Sequence, residues 1–173
     1  MTIEAVLNGV KHYIIAQFEA TRAALEVEIG LLPAEILLPT DSEYPTATTI
    51  PTPGYRSIAT YDLLSPALPS IEILPSETDV DYGGGGQILD DGVENTYVTI
   101  RVTASGASVQ TTSLILLRYR EIIKRIVKTD PTFGGLFYRV RLGRANWMPM
   151  KATQESKKFA QEMYQDMVVW TGY

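Results

Sequence analysis

The chain has 173 residues, of which 45% are apolar and 20% charged, and a formal charge of −5; that length supports one domain burying roughly 70% of its unfolded surface, with the composition of a globular protein. It has no cysteine, which excludes disulfides, thiolate zinc sites and a cysteine nucleophile. No apolar run reaches the roughly 18 residues of a membrane span, so none is expected.

Residues 2–29 read as a helix. Ile3, Val6, Leu7, Val10, Ile14, Phe18, Thr21 and Leu25 recur at spacings of three and four, the mark of one apolar stripe. Thr2 is the candidate N-cap and Gly30 the candidate stop. A helix of this length reaches roughly 40 Å, more than a small core needs. The segment carries acids early and lacks a basic start with an apolar core, so it reads as structure rather than a signal peptide.

Residues 31–69 hold seven of the ten prolines, with Ser and Thr between them. Proline removes backbone donors, so neither a central strand nor a long helix is expected here. The stretch reads as a long arm, and aliphatics such as Leu31, Leu32, Ile36, Ile50 and Leu63 argue that it seeks burial. Residues 70–75 alternate as a short strand. Residues 76–95 carry four consecutive glycines between acids and read as a flexible hairpin loop, since each glycine is costly to order. Residues 96–104 alternate clearly: Tyr97, Thr99, Arg101 and Thr103 face one way, and Val98, Ile100, Val102 and Ala104 the other.

Residues 111–128 read as a second helix capped by Thr112 or Ser113, with Leu114, Ile115, Leu117, Ile122 and Ile126 buried and Arg118, Arg120, Glu121, Lys124, Arg125 and Lys128 wet. Asp130-Pro131 stops it and Gly134-Gly135 turns the chain. Strands follow over residues 136–142 and 159–170, joined by a polar connection. This order predicts a single α+β domain: an antiparallel sheet with two helices packed on one face, plus the proline-rich arm.

The charge is segregated. Residues 1–100 carry 15 acids and 3 bases, a net of −12; residues 101–173 carry 5 acids and 12 bases, a net of +7. A basic half meets nucleic acid, docks on the acidic half of a neighbouring copy, or is neutralised within its own fold.

Groups that could perform chemistry are sparse. The single histidine, His12, lies in the first helix, and no Gly-x-Ser-x-Gly elbow accompanies it. Asp79, Asp81, Asp90, Asp91 and Glu94 flank the glycines, but the spacing breaks the calcium-loop pattern at its third ligand. An acid-dependent hydrolase ranks last, because acidic loop tips are commonly solvated surface. The glycine run lacks the Lys-Ser/Thr of a phosphate loop, and no metal or organic cofactor is expected. Tyr138, Arg139, Arg141, Arg144 and Trp147 are residue types that track a nucleic-acid backbone or anchor protein interfaces. The interface reading is preferred, with Asp79, Asp81, Tyr82, Asp90 and Asp91 as the acidic counterpart on another copy.

The stretch RYREIIKRIVKTDPTFGGLFYRVRLGRANW, residues 118–147, resembles tail-completion and tail-terminator proteins of long-tailed bacteriophages. Members show a helix ending in a short acidic turn, here Asp130-Pro131, a step like Phe133-Gly134-Gly135 into a strand, and a further strand near the C-terminus. The likeness in element order covers most of the chain outside residues 31–69; the arm and the tetraglycine loop depart from the compact pattern. The resemblance implies a non-enzymatic virion protein of the tail and neck, assembled in the host cytoplasm. It implies a homohexameric ring that caps the tail tube, ends its polymerisation and joins it to neck and head–tail connector proteins, while genomic DNA passes through the lumen without specific binding. Another neck component, a head–tail adaptor or stopper, is the closest alternative, followed by a nucleic-acid-binding module.

Overall fold

The structure, a computed structural model, describes residues 1–33, 50–56, 69–76, 93–153 and 158–172. Helix α1 (Ile3–Gly30) starts where Thr2 lies in extended backbone and its hydroxyl accepts from the Ala5 N–H at 3.3 Å. It ends at Gly30, with the Leu31 N–H returning to the carbonyls of Glu28 and Ile29. The stripe Val6, Leu7, Val10, Ile14, Phe18, Leu25 and Ile29 is buried; Ile3, at the first turn, is exposed.

Strand β1 (Gly54–Arg56) lies inside the region read as an arm. It runs parallel to β2 (Ser70–Pro75), so the sheet is mixed rather than purely antiparallel. Three residues free of proline suffice for an edge strand, and the Gly54 N–H donates to the Pro69 carbonyl at 2.8 Å. Ahead of it, Ile50 is 1% exposed. Its N–H donates to Glu26 Oε1 and its carbonyl accepts from Arg22, while the Tyr119 hydroxyl donates to the Pro51 carbonyl at 2.6 Å. Residues 34–49 and 57–68, the rest of the expected arm, lie outside the described residues.

Strand β3 (Val93–Gly106) begins at Val93, inside the stretch read as loop; residues 77–92 of that loop lie outside the described residues. Helix α2 (Val109–Thr129) starts earlier than expected because Ser108, not Thr112 or Ser113, is the cap: its Oγ accepts from the Thr111 N–H at 3.1 Å. Thr112 is buried, its hydroxyl 2.9 Å from the Ser108 carbonyl and 3.2 Å from that of Phe159. The buried arc of α2 is wider than a single stripe, because the helix packs on α1 at its flank and on the sheet beneath. Leu116, Tyr119, Ile123 and Val127 therefore join the core, Arg118 is only 8% exposed, and Leu117 turns out to solvent at 45%.

The last strands also shift. Residues 136–138 belong to a turn, and β4 spans Arg139–Trp147, past the expected end at Leu142. A bulge between Leu142 and Ala145 breaks the alternation that marked its first half. Within the expected polar connection a short β5 (Lys151–Thr153) forms, and β6 (Lys158–Gly172) follows. The sheet order is β1-β2-β3-β6-β4, with β5 pairing β6 beyond β4. Strands β3 and β6 pair from Val93↔Gly172 to Gly106↔Phe159.

One face of the sheet, with Ile71, Ile73, Val98, Ile100, Val102, Val140, Met163, Met167 and Val169, shares a core cluster with both helices. No helix among the described residues is long and apolar enough to cross a membrane.

Candidate assembly surface on the β4 edge

The route into β4 is built by the turn after α2. Asp130 accepts four hydrogen bonds: from the Tyr13 hydroxyl at 2.8 Å, the Thr132 N–H at 2.9 Å, the Thr132 hydroxyl at 2.6 Å and the Gly134 N–H at 2.5 Å. The Thr132 hydroxyl bond leads the effects that hold its carboxyl well below the usual range, followed by the Tyr13 bond and the two N–H bonds. Burial, then the hydrogen bond to Asp130 and its charge, push Tyr13 up to about 12. Phe133 (φ 52°), Gly134 (φ 71°) and Gly135 (φ 80°) take left-handed backbone in succession. Such backbone costs a non-glycine residue roughly 1–2 kcal/mol. At Phe133 burial at 2% exposure and stacking on Tyr13, with ring centroids 4.4 Å apart, offset it.

Gly9 of α1 completes the seat. A Cβ there would meet Leu136 Cδ2 at 2.7 Å and Phe137 Cζ at 2.9 Å, so any side chain at this position would have to displace them. The sequence reading missed Gly9, Tyr13 and Asp130 as one unit; the available signal was a glycine inside a helical pattern, which points to close packing.

Beyond the turn, β4 pairs β6 on one side and is the last strand of the sheet order. Its register sets Arg139 opposite Trp170 and Arg141 opposite Val168, on the face away from the helices, while Val140 and Leu142 point to the core. The two arginines expected to share a face do so. Arg144 falls in the bulge, and all three are exposed. Tyr138 is 70% exposed, and Leu136, Trp147 and Met148 are also exposed. Gln165, buried on β6, holds the bulge: its Nε2 lies 3.1 Å from the Gly143 carbonyl and 3.3 Å from that of Arg144. The Pro131 carbonyl accepts from the outward N–H of Val140 at 2.6 Å, so the turn closes part of the free edge.

Four cations on the helices and β3 are paired. Arg22 bridges Glu19 and Glu26, Arg125 bridges Glu28 and Glu121, Lys124 meets Glu121, and Arg101 meets Glu72. Arg139, Arg141 and Arg144 form no ion pair among the described residues. Among the described residues, contact between the basic and acidic halves is realised at Arg125–Glu28 and Arg101–Glu72, and not on β4.

The acidic counterpart, Asp79, Asp81, Tyr82, Asp90 and Asp91, lies outside the described residues. His12 is exposed on α1. Beside the bulge, Tyr97, Arg144 and Asp166 line an open cleft of about 290 Å³, and a second groove of about 540 Å³ runs between the helices past Ala20, Ala24, Lys124 and Lys128. Among the described residues no group of three or more His, Asp or Glu side chains could hold a metal ion. No family model matches the chain, and no curated protein matches it.

Proposed function

We propose that the chain is a structural subunit that works by assembly, of the kind that forms a ring on the end of a phage tail tube, stops its growth and joins it to the head-side neck. The observation that carries this reading is the β4 edge, where three exposed arginines without an ion pair among the described residues stand beside exposed Tyr138 and Trp147. Arginine, tyrosine and tryptophan dominate protein–protein hot spots. Cations on one strand with no ion pair among the described residues, and a surplus of acids in the first hundred residues, suit a heterologous contact, in which one patch meets a different patch on the next copy. Two helices on one face leave the other face and the β4 edge for neighbours. The residues that resemble tail-terminator proteins, 118–147, are the ones that build the Asp130 turn and this edge.

Electron microscopy of the protein mixed with tail tubes tests the proposal. Density at one end of each tube, with growth arrested, is expected. Tubes with bare ends, and labelled protein found outside tail and neck, overturn it. Density on the head side of the neck, separated from the tube, favours an adaptor or stopper.

A further inference from the structure

We propose that the free edge of β4 accepts a strand from another polypeptide, an extended segment in which acidic and aliphatic side chains alternate. The proposal rests on the assembly reading above and names the chemistry of the partner that this edge takes.

The backbone sets the geometry. In an antiparallel ladder, alternate residues turn their N–H and C=O toward the neighbouring strand and the others turn them away. The Val140 N–H points away from β6, since it donates to the Pro131 carbonyl, and by the same alternation that of Leu142 does too. Past the bulge the Met148 N–H donates to the Glu162 carbonyl at 3.0 Å, which turns Asn146 toward β6 and Ala145 and Trp147 away from it. Pro131 therefore closes the edge at Val140, and no strand among the described residues covers it from Leu142 to Trp147. That is a ledge of about 16 Å at roughly 3.3 Å per residue, enough for a short added strand.

The side chains set the partner. Val140 and Leu142 pack on the core, and beyond the bulge Ala145 lies opposite Gln165 and Trp147 opposite Met163, both buried on the helix side. The apolar side of β4 thus continues across the bulge, yet its outer part is only half covered: Leu142 and Ala145 are half-buried and Trp147 is 38% exposed. The opposite side carries Arg139 and Arg141, with Arg144 at the bulge, all exposed. A strand laid on this edge meets both sides at once. Aliphatic residues toward the helices extend the core over Leu142, Ala145 and Trp147, and carboxylates on the other side face the guanidiniums. The sheet edges of a second copy fit poorly. Its own β4 would set arginines beside arginines, and β1, at the other end of the sheet order, offers Gly54, Tyr55 and Arg56 without an acid.

The test titrates the full chain with a synthetic peptide of alternating valine and aspartate and follows amide hydrogen exchange by NMR. Exchange at Leu142, Ala145 and Trp147 is expected to slow at least about tenfold at saturating peptide, while Asn146 and Met148, already turned to β6, stay as they were. Two N-methylated forms of the peptide, one blocked at every valine nitrogen and one at every aspartate nitrogen, should differ: the phase that faces β4 loses binding and the other keeps it. Ala145→Pro removes an outward donor and spares the ladder to β6, so it should keep its denaturation midpoint and lose the protection. R139E/R141E should reject the valine–aspartate peptide and take a valine–lysine one. No slowing at the three outward amides, or equal binding of both N-methylated forms, overturns the proposal. Slowing that grows with protein concentration alone assigns the edge to a second copy, and slowing by double-stranded DNA but not by the peptide assigns it to nucleic acid; either result overturns it. Capped tail tubes with unprotected amides sink the strand addition and keep the capping role; bare tube ends with protected amides do the reverse.

Discussion

Asp130 concentrates four donors on one carboxylate and ties α1, the end of α2 and the start of β4 together. Its folded pKa lies below the unfolded value of about 3.9, so its contribution to stability is complete above that value and is lost as pH falls through the depressed one. Urea midpoints measured from pH 7 downward should fall below about pH 4 in the native protein, and D130N should be weaker at pH 7 and flatter over that range. Tyr13 has the opposite sign: its pKa is raised to about 12, so its contribution is complete below the ordinary tyrosine value of about 10 and lost between there and about 12. Absorbance at alkaline pH should show several tyrosines ionising late in native protein, since Tyr55 and Tyr164 are raised as well, and one of them ionising earlier in D130N while burial still holds it above the ordinary value. At Gly9 two effects oppose each other. A side chain gains up to about 1 kcal/mol of helix propensity over glycine, but overpacking costs roughly 1–3 kcal/mol. Leu136 is half exposed and can swing aside, whereas Phe137 is buried and cannot. The packing cost therefore wins for a branched residue, and Gly9→Val should lower the chemical-denaturation midpoint. None of this was legible beforehand, because the partners are far apart in sequence and periodicity reports only neighbours.

Elements were legible where one physical rule dominated. Strand β3 alternates strictly, and the Val98, Ile100, Val102 and Ala104 face is the buried one. Helix α1 shows one stripe because it packs on one side. Strand β4 was misplaced because Gly143 and Arg144 form a bulge, after which the pairing with β6 resumes one step out of phase. Local pattern cannot reveal an element whose phase is reset by a distant glutamine. Gln165→Leu removes the donor facing the Gly143 and Arg144 carbonyls. Losing these part-buried bonds should cost roughly 0.5–1.5 kcal/mol, and hydrogen exchange should quicken along β4 more than along β3. Helix α2 shows a related effect: packed on both a helix and a sheet, it buries Arg118 and exposes Leu117, which a single-stripe reading reverses.

At the scale of the whole molecule, the proline-rich region is partly a structural component of the core. Ile50 is buried between the helices and the sheet, and its backbone is clamped by Arg22 and Glu26. Ile50→Ala should cost roughly 2–5 kcal/mol in chemical denaturation, the price of a buried cavity; an effect within 0.5 kcal/mol, typical of surface sites, would show that this segment is not anchored. The α+β class and the charge asymmetry were readable from residue order alone. The mixed sheet was not, because three residues between prolines carry too little pattern to register as a strand. The β4 arginines were singled out from composition, but their lack of ion pairs within the described chain needed three dimensions, since charge counts do not say who stands next to whom.

The place of β6 between β3 and β4 bears on how such a chain emerges from the ribosome. Residues 93–106 are made well before their partner at 158–172, so until that strand is delivered β3 presents an open edge to other nascent copies. On β4 the Pro131 carbonyl over Val140 and the arginine row instead blunt the outward edge, the one that no strand of the sheet order covers once β6 has paired.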